Sequence, residues 1–228
     1  MSHSQPQTEA GPSVVGDGQV WPRAFEAGGA GSILYKGGAM SEQTVSILIV
    51  CGSLRRDSVT HRALEEAAQG VREAGGRVVW ADKWVGRLPL YAEGGEESEE
   101  ATSFRRAARL AHGFLWGSPE YHGTCAGVLK NALDYLYFDE TEGKWTALVA
   151  SAGGRAGGAG TLATLRMVAR NLHLWVPPEE VGVPSSSKAL SENGTFKDAE
   201  IQRRLRDLGR HLVETIRLFR HGPSPRQG

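Results

Sequence analysis

Apolar positions along the chain form short runs separated by stretches of helical spacing. Val45 to Val50 is an almost unbroken, β-branched run bounded by Cys51-Gly52, the pattern of a central parallel strand covered on both faces. After Gly52 to Ser58, the positions Ala63, Leu64, Ala67, Ala68 and Val71 recur at helical spacing, predicting a helix over about Val59 to Ala74 that Gly75-Gly76 ends. Arg77 to Ala81 reads as a second strand, and Gly113 to Gly117 as a third. A helix over about Glu99 to Ala111, burying Phe104, Ala107, Ala108 and Ala111, lies between those two strands. Ser118-Pro119 is expected to stop the third strand, because proline offers no amide proton to a ladder. Leu129 to Leu136 continues as helix, Trp145 to Ser151 is the fourth strand, and His173 to Val176 is a short fifth. Between these last two, a helix over about Thr161 to Asn171 buries Leu162, Leu165, Met167 and Val168 or Ala169. Asp198 to Arg220 closes the pattern as a long amphipathic helix with Ile201, Leu205, Leu208, Leu212, Ile216 and Phe219 on one stripe.

Strands alternating with helices predict an α/β fold: a three-layer sandwich around a five-stranded parallel sheet, with the flavodoxin-like order 2-1-3-4-5. In such a sheet the loops after strands one, three and four open at one edge, where ligands bind. Lys83 to Glu100 is too long for a simple connection and reads as a binding loop or flap, with its acidic end a solvated face.

The 228 residues, 40% of them hydrophobic, suit one such domain, over residues 44–221. Residues 1–39 are rich in Gly, Ser, Gln and Pro and read as a disordered extension, and 222–228 as a disordered tail. Lys36-Gly37-Gly38 is encoded by a purine-rich run just upstream of Met40, which makes Met40 a candidate start. The N-terminus has no basic stretch followed by an apolar core, so no secretory signal is expected, and no apolar run is long enough to span a membrane. Equal numbers of basic and acidic residues, 26 each, argue against a nucleic-acid partner. The two cysteines, Cys51 and Cys125, lack metal-site spacing and read as free thiols of a reducing, cytoplasmic setting. The arginines of the last helix alternate with acids and read as a solvated face.

Candidate chemistry sits in three loops. Gly52 to Ser58 enters a helix N-terminus, where unpaired amides and the helix dipole favour an anion such as a phosphate. Ser53 and Ser58 add hydroxyls, and Arg55 adds a forked cation. The sequence matches neither GxxxxGK[ST] nor GxGxxG. The second loop, Gly117 to Thr124, packs Glu120, Tyr121 and His122 between glycines, a tip suited to something planar and polar or to a simple helix cap. The third, Gly153 to Gly160, has five glycines in eight residues and lets backbone amides approach a ligand closely.

Four motifs occur in order: Gly52-Ser-Leu-Arg55-x-x-Ser58; Leu88-Pro-Leu-Tyr91; Ser118-Pro-Glu-Tyr-His-Gly123 with Gly127-Val-Leu-Lys-Asn-Ala-Leu-Asp134; and Ser151-Ala-Gly-Gly-Arg-Ala-Gly-Gly158. Together they resemble the NADPH-dependent FMN reductase family, a flavodoxin-like group that includes quinone, azo-dye and chromate reductases. The resemblance covers Val45 to about Pro184 and implies one FMN per subunit, a homodimer or homotetramer, and NADPH or NADH as co-substrate. It implies that Ser53, Arg55, Ser58 and Thr60 hold the FMN phosphate. Pro119, Glu120, Tyr121, His122 and Gly123 would border the isoalloxazine ring, and Ser151, Gly153, Gly154 and Gly158 would close its far side. Asn131 is expected to brace a loop. Many family members carry Asn where this chain has His122.

The implied activity is a flavin oxidoreductase: NADPH stacks on FMN and gives up hydride, and the reduced flavin then reduces a quinone, azo compound, metal oxyanion or free flavin in the same place. No catalytic residue is required, since the chemistry belongs to the cofactor. His122 is expected to hydrogen-bond locally, Cys125 to be buried and inert, and Arg155 is a candidate for the NADPH 2′-phosphate. The rival expectation is a non-enzymatic electron carrier on the same fold, against which stand the neutral charge and the arginine in the first loop.

Overall fold

The computed structural model describes residues 44–95 and 97–221. The expectations for residues 1–39, for a start at Met40 and for the tail 222–228 lie outside them. Among the described residues six strands and eight helices follow in order: β1 (Ser46–Cys51), α1 (Val59–Glu73), β2 (Arg77–Trp80), α2 (Asp82–Val85), α3 (Glu99–Leu110), β3 (Gly113–Tyr121), β4 (Thr124–Cys125), α4 (Gly127–Asp134), α5 (Phe138–Thr141), β5 (Trp145–Ser151), α6 (Ala159–Asn171), β6 (Val181–Val183), α7 (Ser186–Ala189) and α8 (Ala199–His221). The sheet order is β2-β1-β3-β5-β6, all parallel, with β4 folded back antiparallel on β3. Counted among the parallel strands alone, this is the expected 2-1-3-4-5.

Both faces of the sheet are covered. Ile47, Ile49, Cys51, Leu115 and Val149 face α1 and α8, while Leu48, Val50, Phe114, Trp116 and Leu148 face α2, α3, α4 and α6. Every residue of β1 is buried, which is why its sequence shows no alternation. The α1–α8 contact is close enough that a Cβ on Gly70 would lie 1.9 Å from the Arg206 carbonyl oxygen, and one on Gly209 would lie 1.9 Å from that of Ala67.

Three expectations are corrected. First, β3 does not stop at Ser118-Pro119 but runs to Tyr121. Gly117 accepts from the Gly52 amide at 2.7 Å on the β1 side. Pro119, two residues on, turns its nitrogen to that same side, past the end of β1, where no ladder bond is lost. Second, the fifth parallel strand is Val181–Val183, paired with Val149 to Ser151. Within the expected stretch His173 to Val176, only Trp175 bridges, to Trp145, and Pro177-Pro178 interrupt this edge before pairing resumes. Third, Met167 and Phe219 are 59% and 72% exposed rather than buried, with Phe219 lying on the Trp145 ring at 4.8 Å. Thr161 takes one of the buried positions of α6 instead. Among the described residues no helix is long and apolar enough to cross a membrane.

Candidate functional site

Three loops meet at the carboxyl ends of β1, β3 and β5. The first begins with Gly52 and passes through exposed Leu54, Arg55, Arg56 and Asp57 to buried Ser58. Ser58 is the N-cap of α1: its Oγ accepts from the His61 amide at 3.1 Å, and its carbonyl takes the Arg62 amide at 3.0 Å. The amides of Val59 and Thr60 therefore precede any intrahelical acceptor and open toward the loop. The Arg55 carbonyl accepts from the Ser58 amide at 3.2 Å, while among the described residues its side chain makes no hydrogen bond or ion pair, so the guanidinium is uncommitted.

The second loop is a tight hairpin. Glu120 pairs with Cys125 and Tyr121 with Thr124, leaving His122 and Gly123 as a two-residue turn with φ of 53° and 83°. Left-handed conformation at both positions is the type I′ turn, which suits the twist of the flanking strands and favours Asn-Gly. Histidine tolerates that region better than most side chains. His122→Asn is therefore expected to leave thermal stability unchanged or raise it. His122→Val should cost about 1–2 kcal/mol, read as a lower melting temperature; an unaffected valine variant would contradict the turn assignment. Tyr121, His122 and Gly123 are exposed, and nothing stands over Gly123.

The third loop leaves β5 at Ser151, and Gly153 and Gly154 face open space. Gly157 and Gly158 take φ of 64° and 85°, and a Cβ on Gly158 would meet that of Ala150 at 2.6 Å. Gly158 is buried and is the N-cap of α6, so its role is to let the turn form.

Side chains join the three loops to one another. Thr60 and Ser151, both buried, share a hydrogen bond of 2.7 Å across 91 residues of sequence. The Glu120 carboxylate accepts from the Thr161 amide in the first turn of α6 at 3.0 Å, a favourable place for a negative charge. The hairpin tip presses on α6 so closely that a Cβ on Gly160 would lie 2.2 Å from the Gly123 carbonyl oxygen. Ser53, Arg55, Ser58, Thr60, Pro119, Tyr121, His122, Ser151, Gly153 and Gly154 thus gather at one edge of the sheet. The Glu120 side chain and Gly158 are turned to holding the loops.

The long connection after β2 contains the short helix α2 and is pinned over α4. Asn131 Oδ1 accepts from the Tyr91 amide at 2.8 Å while its Nδ2 donates to the Pro89 carbonyl at 2.8 Å, so this residue braces the loop as expected. Tyr135 adds a bond to the same carbonyl at 3.1 Å and meets the Tyr91 ring edge-on. The Tyr91 and Tyr137 hydroxyls are bonded to each other, which pushes the Tyr91 phenol up to about 12. Leu90 is left 87% exposed. Of these groups, Tyr135 and Tyr137 carried no signal in the sequence, because they meet the connection only across 46 residues. Both cysteines are buried and unpaired. Burial pushes the Cys51 thiol up to about 12, so it remains protonated and unreactive.

Residues 45–188 match the family described as NADPH-dependent FMN reductase, more than half of the chain. The chain belongs to this family. A probable NADPH:quinone oxidoreductase of rice, Oryza sativa subsp. japonica, is 33% identical over 184 residues, 75% of this chain and 91% of that protein. The NADPH-dependent FMN reductase ArsH of Shigella flexneri is 28% identical over 182 residues, 77% of this chain and 70% of that protein. Among solved structures, FerB of Paracoccus denitrificans, a flavoenzyme NAD(P)H:(acceptor) oxidoreductase, superposes with a TM-score of 0.65 at 22% identity, covering 76% of this chain and 97% of FerB. At that identity the likeness establishes the flavodoxin-like fold. Membership in the reductase family makes this chain an oxidoreductase whose cofactor is FMN and whose electron donor is a reduced nicotinamide nucleotide.

Proposed function

We propose that the three joined loops hold FMN and that the chain passes electrons from NADPH to a small oxidised acceptor. The observation that carries this reading is an uncommitted guanidinium, Arg55, in the loop that leads into the open amides of α1, at the sheet edge that also carries the His122-Gly123 hairpin and two unobstructed glycines. That donor set fits the cofactor. Arg55 and the amides of Val59 and Thr60 suit a phosphate dianion. The Ser53 hydroxyl joins them, and Ser58 still has its O–H to donate, because its Oγ serves His61 only as acceptor. In the Thr60–Ser151 pair one hydroxyl donates to the other, which leaves the second O–H free for the ligand. Pro119, Tyr121, His122 and Gly123 would border one side of the ring system, with Glu120 near it through its backbone. Gly153 and Gly154 would close the other side, and Gly158 would contribute by shaping their turn.

When bound, FMN supplies the two-electron chemistry. The chain's own part is to anchor the phosphate, orient the ring and exclude water, so no side chain is assigned as acid, base or nucleophile. Donor and acceptor take turns at one open face, a ping-pong sequence, and the likeness to the rice protein makes a quinone the first acceptor to try. An azo compound, a metal oxyanion and free flavin are the other candidates. Arg155 is exposed and unpaired among the described residues, and we assign it to the 2′-phosphate of NADPH. Arg155→Ala is expected to reduce the preference for NADPH over NADH about tenfold; unchanged kcat/KM ratios for the two nucleotides would refute it. Assembly as a homodimer or homotetramer and a reducing, cytoplasmic setting complete the proposal, the latter supported by two unpaired cysteines.

The deciding experiment is an anaerobic absorption spectrum before and after NADPH. A flavin band that bleaches supports the reductase. A band that persists favours an electron carrier, and no band even after incubation with FMN overturns the reading.

A further inference from the structure

His61 is a buried side chain that the proposed function leaves unused. It lies in the first turn of α1, and its backbone amide is the one that Ser58 caps. Its imidazole is stacked on Trp80 with ring centroids 4.6 Å apart and planes 13° apart. Nε2 lies 3.1 Å from Asp82 Oδ2, at the start of α2. Among the described residues Nδ1 has no hydrogen-bond partner, and it sits 3.5 Å from Glu65 Oε1. A carboxylate accepts only, so Nε2 carries the proton toward Asp82. A buried nitrogen without a partner costs stability. A phenyl ring would keep the Trp80 stack without that cost, so packing alone gives no reason for histidine here.

The bond to Asp82 gives one. A cavity of about 90 Å³ lies between the first loop and α2, walled by Ser53, Leu54 and Arg56 on one side and by His61, Asp82 and Gly86 on the other. Leu54 closes over the end of α2: its Cδ2 would lie 3.2 Å from a Cβ on Gly86. The loop therefore rests on α2, and α2 is tied to α1 through the imidazole. We infer that His61 is a positioning residue: through Asp82 it fixes α2 beneath the first loop and so holds Arg55 and the loop amides ready for the phosphate. This inference rests on the FMN reading above.

The test compares FMN with riboflavin, which lacks the phosphate. Dissociation constants are measured by flavin fluorescence for the wild type, His61→Phe, Asp82→Ala and Asp82→Asn. In His61→Phe and Asp82→Ala, FMN affinity should fall about tenfold, as loss of an outer supporting partner does at bound-ion sites, while riboflavin affinity stays within about twofold of wild type. The double variant should lose no more than either single one, since both break one linkage. Asp82→Asn keeps an acceptor for Nε2–H and should bind FMN as the wild type does. Unchanged FMN affinity in His61→Phe and Asp82→Ala, or equal losses for FMN and riboflavin, would overturn the inference. Hydrogen exchange of the flavin-free protein gives a second readout. Amides 53–60 should exchange faster in both variants while those of β5 do not, and unaltered rates at 53–60 would overturn it equally. A wild type that binds neither flavin defeats the FMN reading itself, and the exchange rates still decide whether His61 holds the loop.

Discussion

Replacing Glu140 by alanine is expected to destabilise the protein by about 3 kcal/mol. The Glu140 carboxylate is fully buried. It accepts from Arg105 Nη2 at 3.1 Å and from the Tyr137 backbone amide at 3.0 Å, and pairs ionically with Arg109, whose Nε lies 2.8 Å away. Removing one member of a buried ion pair leaves the other charge uncompensated and costs about 3–5 kcal/mol. The Arg105 and Arg109 side chains are 24% and 51% exposed and regain some water, so the lower end applies. Glu140→Gln keeps acceptor capacity without the charge and should cost about half as much. In urea the midpoint should fall at unchanged slope; an unmoved midpoint for the alanine variant would rule the account out. The effect reaches the site's rim, because the same carboxylate orders the turn that carries Tyr137 to the Tyr91 hydroxyl.

Gly209→Ala is expected to lower stability by about 2 kcal/mol, although alanine is the better helix former by about 1 kcal/mol. The competing effects differ in where they act. Propensity favours α8 alone, whereas the new methyl would sit 1.9 Å from the Ala67 carbonyl oxygen of α1. That atom is backbone and cannot rotate aside, so the helices must part. Overpacking of this kind costs about 1–3 kcal/mol, and more where the neighbours are rigid. Gly70→Ala meets the Arg206 carbonyl in the same way and should behave alike. Differential scanning calorimetry should show a melting point lower by roughly 5 °C. A raised melting point would mean that propensity wins and that the two helices are free to separate.

Much of this architecture was legible in the sequence because it depends on neighbours along the chain. The run Val45 to Val50 and the glycine pair after α1 identify a buried strand and a helix end through local rules of burial and backbone freedom. The alternation of such segments implies the layers, the strand order and the edge at which three loops gather. The motifs in those loops, with Asn131 as a brace, were enough to indicate the family.

Only the tertiary structure decided the rest, because the deciding partner is remote. Pro119 is harmless to β3 only because β1, some seventy residues earlier, has already ended beside it. The fifth strand forms at Val181–Val183 because the two prolines interrupt an edge whose other half is a single bridge to Trp145. Whether a glycine in a good helix is a weakness or a necessity depends on a carbonyl across the interface, as at Gly209. Glu140 and His61 look like ordinary surface residues in sequence. Their burial, and the arginines and aspartate that meet them, exist only once α5 lies on α3 and α2 lies beside α1. Hydrophobic periodicity records which face of an element is covered, but says nothing of which polar group waits on the other side.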